Sequence, residues 1–156
     1  MPTYTGGEII AEYLIKEGVP YIVGIPGHGI IPFLDPFMDR RDRIGVIQVR
    51  HEQSAIHLAD GYYRASGRPL LCFTSIGPGA YNTVVGLATA FIDSTALVAV
   101  SGETHTYMFG RGVLQENERQ YWADTLSVMR PVTKRVWQVT RVDQLPSVVH
   151  QAFRVA

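Results

Sequence analysis

The sequence predicts an α/β fold in three layers (α/β/α), with a doubly wound, mostly parallel sheet of about six strands. Short apolar runs, rich in β-branched residues, alternate along the chain with longer segments of helical periodicity. Runs that are apolar throughout, rather than at every second position, are typical of parallel strands covered on both faces. At 156 residues, of which 46% are hydrophobic and 18% charged, the chain has the size and composition of one globular domain. We therefore expect a single domain over residues 1–156.

Composition excludes several classes of protein. The 14 Lys and Arg balance the 14 Asp and Glu, so there is no basic footprint for nucleic acid and no charged membrane-surface helix. The uncharged stretch 69–92 is broken by a Gly-Pro-Gly turn, which favours a buried strand, a turn and a helix over a membrane span. The N-terminus has no signal-peptide pattern. The lone Cys72 suits a reducing compartment, and we expect a cytoplasmic protein.

The predicted elements follow from periodicity and from the positions of capping residues, Gly and Pro. Thr5 and Glu8 form a capping-box pattern that begins a helix at Gly6, and Gly18 is a natural stop for it. The other predicted elements, in chain order, are a strand at 21–25, a turn at 26–29 leading into a helix to about 38, a strand at 44–49, a helix at 51–65, a strand at 70–74, a helix at 80–91, a strand at 96–100, a late strand at 132–139 and a last helix at 145–154. No element is assigned between residues 103 and 130.

Ligands of a doubly wound sheet bind beyond the carboxyl ends of its strands. That rule selects the segments 26–29, 50–53 and 75–82, and the residues after Val100. In the second segment, Glu52 begins a predicted helix, where a carboxylate can either serve chemistry or simply complement the helix dipole. In the third, a Gly-Pro-Gly turn opens a helix and lets the backbone approach a ligand closely.

Several site types are excluded by spacing. The turn after the first strand resembles a dinucleotide fingerprint, but counting from Gly27 its third glycine position holds Pro32. The Gly-Pro-Gly turn lacks the Lys of a P-loop, and no Gly-x-Ser-x-Gly elbow occurs. Cys72 lies within an apolar strand, away from any activating group. His51 and His57 fall on different helix faces, so no metal-ligand spacing is present.

In order and spacing, the polar motifs resemble those of the acetohydroxyacid-synthase-like thiamine-diphosphate enzymes. The likeness spans nearly the whole chain. It is carried by Gly24-Ile25-Pro26-Gly27, Arg50-His51-Glu52-Gln53-Ser54-Ala55, Ala59-Asp60-Gly61-Tyr62, Gly77-Pro78-Gly79-Ala80-Tyr81-Asn82, Ala90-Phe91-Ile92-Asp93-Ser94, Gln115-Glu116 and Pro131-Val132-Thr133-Lys134.

The resemblance implies an N-terminal domain that holds the aminopyrimidine ring of thiamine diphosphate. Glu52 would then hydrogen-bond the ring nitrogen opposite the exocyclic amine and favour the imino tautomer, whose nitrogen removes the thiazolium C2 proton. The activated cofactor attacks a 2-keto acid or a 1,2-dione. Such a site should exclude water, because desolvation favours proton sharing by a carboxylate.

Further roles are implied by the same resemblance. Pro26 and Gly27 would border the pyrimidine pocket, and Gln115 would face the reacting centre. His28 would contact substrate or relay a proton, with an exposed turn histidine as the alternative. The cofactor-lining residues would be Gly77, Pro78, Gly79 and Asn82.

Two departures from the synthase pattern leave the reaction type open. Leu114 stands where synthases usually have Phe, and Ile76 resembles the cyclic 1,2-dione hydrolases of the same superfamily as much as the synthases. Carboligation, decarboxylation and dione cleavage all remain, as does a non-catalytic binding module that kept the fold.

The family's diphosphate and Mg²⁺ site lies in a second domain marked by Gly-Asp-Gly, which does not occur in this sequence. We therefore expect the chain to be inactive alone. Its partner would be either a separate chain or the remainder of a longer polypeptide, and the helical ending at 148–156 favours the latter. Because the family places its cofactor between subunits, we expect a homodimer or higher oligomer.

Overall fold

The computed structural model describes residues 3–116 and 124–156. It contains four strands, β1 (Tyr21–Gly24), β2 (Gly45–Gln48), β3 (Leu71–Thr74) and β4 (Val98–Ser101). The helices are α1 (Gly6–Lys16), α2 (Ile31–Met38), α3 (Glu52–Ser66), α4 (Pro78–Tyr81), α5 (Val84–Ile92), α6 (Thr125–Met129) and α7 (Leu145–Val155). None of the helices in the described ranges is long and apolar enough to cross a membrane.

The strands form one parallel sheet in the order β2-β1-β3-β4. The chain runs from β1 outward to β2, then returns to the other side of β1 for β3 and β4. The topological switch point of this sheet therefore lies between β1 and β3, where a crevice opens beyond the strand ends. The predicted α/β class is confirmed, whereas six strands were too many, because the described residues form four.

Burial follows strand position. All four residues of β3 are buried, and so are three of the four in β1, as expected for central strands covered on both faces. The outer strands β2 and β4 are only partly buried. The core that this sheet shares with the helices includes the fully buried Phe37, Phe73, Leu14, Ile22, Ile44, Ile56, Leu70 and Leu71.

The predicted capping box starts α1. The Glu8 backbone N–H donates to Thr5 Oγ1 at 3.3 Å, and the Thr5 backbone N–H donates to Glu8 Oε2 at 2.7 Å. These bonds satisfy donors that the first helical turn would otherwise leave unpaired. The helix ends at Lys16, close to the predicted stop at Gly18, whose φ is +69°.

The helix predicted at 80–91 is two helices. It begins earlier, at Pro78, and is interrupted at Asn82 and Thr83. The Thr83 backbone N–H and its hydroxyl both donate to the Ala80 carbonyl, at 3.1 and 2.6 Å. Bonding three residues back tightens the turn and breaks the α-helical register, which apolar periodicity does not reveal.

The late strand predicted at 132–139 is wrong. A 3-10 turn covers Arg130–Val132, and residues 133–141 belong to neither a helix nor a strand. Along the segment, half-buried residues come in pairs (132–133 and 136–137) separated by exposed pairs, whereas a strand alternates singly. Instead of pairing with β4, the segment lies across a cavity of about 690 Å³ that β4 also lines.

The region left unassigned in the sequence, 103–130, contains a 3-10 turn at Thr106–Met108 and the short helix α6. Residues 117–123 within it lie outside the described part of the chain. The final helix α7 agrees with its predicted limits and packs on α1, with Pro146 in its first turn.

Candidate functional site

The site is assembled at the switch point of the sheet, from the turns that follow β1 and β3 and the first residue of α3. Glu52 opens α3, and His51 caps that helix through Nδ1, which accepts the Gln53 backbone N–H at 3.2 Å. The cap fixes where α3 begins, and with it the place of the Glu52 side chain. Glu52 is half-buried.

Glu52, Gly79 and Asn82 are brought together. The Asn82 side-chain amide donates to Glu52 Oε2 at 3.0 Å. A Cβ added at Gly79 would lie 3.3 Å from Glu52 Oε1 and 2.7 Å from Thr74 Oγ1, so backbone approaches the carboxylate as closely as a glycine allows. The predicted proximity of segments 50–53 and 75–82 is therefore present in the structure.

The turn after β1 contacts the residue after β3. A Cβ at Gly27 would come within 2.4 Å of Ser75 Oγ, whereas the neighbouring Pro26 is exposed. Ser75 Oγ is buried and has no hydrogen-bond partner among the described residues. Buried hydroxyls are normally paired, so Ser75 Oγ retains hydrogen-bonding capacity that no described residue uses. The sequence placed Ser75 at the start of the selected segment 75–82 but gave it no role, although a polar residue directly after a buried strand was a signal for one.

Gln115 meets the Gly-Pro-Gly turn through backbone. A Cβ at Gly77 would lie 2.3 Å from the Gln115 carbonyl oxygen, and both residues have left-handed φ angles, +65° and +64°. The Gln115 side chain is exposed, and Pro78 is exposed at the start of α4.

The His28 side chain has no hydrogen bond to the residues clustered around Glu52. The residue is exposed in the 3-10 turn His28–Ile30, and its side chain makes no hydrogen bond or ion pair within the described ranges. Contact with substrate or relay of a proton, with an exposed turn histidine as the alternative, stays a prediction for it.

Glu116, which belongs to the Gln115-Glu116 motif, is a second residue to which the sequence assigned no role. Its carboxylate is buried and accepts three backbone N–H groups, from Gly110, from Gly112 at 2.8 Å and from Val113 at 3.1 Å. The sequence gives no periodicity from which such a loop could be inferred.

Two further titratable groups have clear physical environments. Complete burial raises the pKa of Cys72 to about 12, so its thiol stays protonated and unreactive, as the sequence predicted. Burial works to raise the pKa of Asp60, but hydrogen bonds from Thr95 and Arg64 outweigh it and lower the pKa overall. Arg64 also pairs with Asp93 at 2.5 Å, which ties α3 to the end of α5.

No group of three or more His, Cys, Asp and Glu is placed to hold a metal ion within residues 3–116 and 124–156. The cavity of about 690 Å³ beside β4 is lined by Thr74 but not by Glu52, Gly79 or Asn82.

Residues 4–122 match the family described as "Thiamine pyrophosphate enzyme, N-terminal TPP binding domain". The match covers most of the chain, and the parallel α/β sheet is consistent with it. The chain belongs to this family.

Its relatives include acetolactate synthases of archaea, bacteria and fungi. It is 38% identical over 151 residues to a probable acetolactate synthase large subunit of Methanocaldococcus jannaschii, covering 97% of this chain and 24% of that protein. It is 36% identical over 153 residues to the acetolactate synthase isozyme 1 large subunit of Escherichia coli, covering 98% and 26%. A mitochondrial catalytic subunit from Aspergillus candidus is 37% identical over 152 residues, covering 97% and 21%. The chain thus spans about a quarter of the length of these relatives.

Proposed function

We propose that the chain is the pyrimidine-binding half of a thiamine-diphosphate enzyme acting on 2-keto acids, by acetolactate synthase-like carboligation or decarboxylation. The observation that carries this proposal is the Glu52 carboxylate at the switch point, oriented by Asn82 and approached by backbone at Gly79. A carboxylate held in this way suits proton sharing with a flat, nitrogen-containing ring.

The described residues fit such a ring. Glu52 offers an acceptor, Ser75 an unpaired buried hydroxyl, and Gly27 and Gly79 bring backbone close without side-chain bulk. When bound, thiamine diphosphate supplies the carbanion that attacks a keto group and the electron sink that stabilises the product of attack. The chain's own part is to hold the ring and to share a proton at the Glu52 carboxyl.

The remaining roles extend from this placement. Pro26 and Gly27 border the ring, and Gly77, Pro78, Gly79 and Asn82 form the opposite wall. Gln115 lies against that wall through its backbone, and its exposed side chain would face the reacting centre. His28, exposed in the turn after β1, contacts the substrate or relays a proton.

The diphosphate and Mg²⁺ are assigned to another region, supplied either by the rest of a longer polypeptide or by a second chain. Support comes from the relatives, of which this chain spans only about a quarter. The assembly is a homodimer or higher oligomer in the cytoplasm, and residues 1–156 act as one domain within it.

The test is Glu52→Gln, made in the complete enzyme that contains the diphosphate-binding region. We expect turnover of pyruvate to fall by at least about 100-fold, because the amide cannot share a proton with the ring. A cyclic 1,2-dione assayed in parallel separates carboligation and decarboxylation from dione cleavage.

The matched control is Glu17→Gln, which neutralises an exposed glutamate at the end of α1 and should leave turnover unchanged. Undiminished turnover in Glu52→Gln would show that the proposed mechanism is wrong.

A further inference from the structure

Glu116 is a buried carboxylate to which the proposed function assigns no task. Its relative exposure is 8%, and carboxylates are rarely buried unless they are paired. We infer that Glu116 is a positioning residue that holds the loop 110–116 in the one shape that sets Gln115 against the Gly-Pro-Gly turn. This inference rests on the proposed function, because it concerns how Gln115 is placed in the same site.

The carboxylate is the common acceptor of the loop. Oε1 accepts the backbone N–H of Gly110, while Oε2 accepts those of Gly112 at 2.8 Å and Val113 at 3.1 Å. The Glu116 backbone N–H in turn donates to the Val113 carbonyl at 3.0 Å. The carboxylate bonds three backbone amides within seven residues. These charge-assisted hydrogen bonds are stronger than the neutral backbone hydrogen bond between Glu116 and Val113, so they are the main constraint on the shape of the loop.

The shape of the loop determines where Gln115 lies in the candidate site. Gln115 adopts a left-handed φ of +64°, an uncommon conformation for a residue with a side chain, which persists only where its surroundings impose it. Its carbonyl oxygen lies against Gly77, where a Cβ would come within 2.3 Å. Because the contact is backbone against backbone, a shift of the loop must move Gln115 relative to the turn.

The same turn leads to the carboxylate that the proposed function depends on. Two residues after Gly77, Gly79 faces Glu52 Oε1. An unbroken series of contacts therefore runs from Glu116 through the loop and Gln115 to the turn beside Glu52. Misplacing a group at a reacting centre by about 1 Å can cost about 100-fold in rate, so releasing the loop should be visible in turnover.

The first experiment measures the loop directly, by hydrogen exchange of the complete enzyme. In Glu116→Gln the side-chain amide retains only one acceptor oxygen, so the amides of Gly110, Gly112 and Val113 should exchange at least roughly tenfold faster. The matched control is Asp124→Asn, whose carboxylate accepts the Leu126 backbone N–H at 2.8 Å and the Ser127 hydroxyl at 2.7 Å without reaching the turn. Unchanged exchange at all three amides in Glu116→Gln would overturn the inference.

The second experiment measures coupling to Gln115, with pyruvate as the substrate and thiamine diphosphate as the cofactor probe. In Glu116→Gln, kcat should fall roughly tenfold or more while the affinity for thiamine diphosphate stays within about twofold, since no ring-binding side chain is replaced. Gln115→Ala with Glu116→Gln should be no slower than Gln115→Ala alone. Glu116→Asp, which keeps the charge, should recover part of kcat and carries the test if Glu116→Gln does not fold.

If the losses of kcat from Gln115→Ala and Glu116→Gln add in the double variant, Glu116 does not act through Gln115 and the inference is wrong. The same holds if Asp124→Asn lowers kcat as much as Glu116→Gln does. The two proposals fail separately: undiminished turnover in Glu52→Gln overturns the proposed function, while exchange at the loop amides still reports on Glu116.

Discussion

Two regions of the sheet are packed differently: the switch point between β1 and β3, and the edge formed by β4. At the switch point, turns and strand ends meet through backbone, with Gly27 against Ser75 and Gly77 against Gln115. At β4, the neighbouring segment 133–141 forms no ladder and a cavity of about 690 Å³ remains. The first region cannot accept even a methyl group at its glycines, while the second has room that its own side chains do not fill. The candidate site is thus bordered by close backbone contacts, whereas the β4 region contains a cavity.

Two matched valine-to-alanine variants test this difference in packing most directly. Val23 is fully buried in β1, so Val23→Ala should lower the free energy of unfolding by about 2–3 kcal/mol. Val100 in β4 is half-buried and lines the cavity, so Val100→Ala should cost less than about 1 kcal/mol. Urea denaturation measures both, and equal losses would mean that the two sides are packed alike.

A pair of helical glycines sharpens the comparison at the site itself. In Gly79→Ala the new methyl group would collide with Thr74 Oγ1 and crowd Glu52, so we expect a loss of about 1–2 kcal/mol. Gly61, exposed in α3, has open space around it, and Gly61→Ala should stabilise by about 0.5–1 kcal/mol. Thermal unfolding of the two variants should shift in opposite directions. A gain at position 79 would contradict the close approach there.

The smallest expected effect is on pH dependence at the join between α3 and α5. Because the folded pKa of Asp60 is below its usual value of 3.8, this carboxylate stabilises the fold above that pH, and the contribution is lost as pH falls through the folded pKa. Asp60→Asn should therefore cost about 1 kcal/mol at neutral pH and flatten the acid limb of the stability curve. The control Asp143→Asn, in an exposed pair with Arg141, should change the curve much less, because solvent screens an exposed ion pair.

Local rules made much of the fold predictable. The capping box at Thr5 and Glu8, the strands around Ile22 and Phe73, and the start of α3 at Glu52 each depend on a few adjacent residues. They are formed where the sequence predicts them, because capping bonds and apolar periodicity act within one or two turns of chain.

What could not be predicted depends on contacts between distant segments. The valines and Trp137 at 132–139 suit a strand, but a strand requires a pairing partner, and this segment forms no ladder with β4, although both line the cavity. The unpaired hydroxyl of Ser75 and the buried carboxylate of Glu116 are likewise visible only once the loops are placed. The resemblance indicated Glu52, Asn82 and Gln115, but not the residues that support them.

The hydrogen bond between Asn82 and Glu52 has a stereochemical consequence. With Oε2 occupied by the amide, Oε1 is the carboxylate oxygen left facing the Gly79 backbone. The amide takes one lone pair of Oε2, so most of the remaining acceptor capacity of the carboxylate lies on Oε1. The two oxygens are therefore inequivalent before any ligand arrives, and a donor that approaches Oε1 meets the less occupied one.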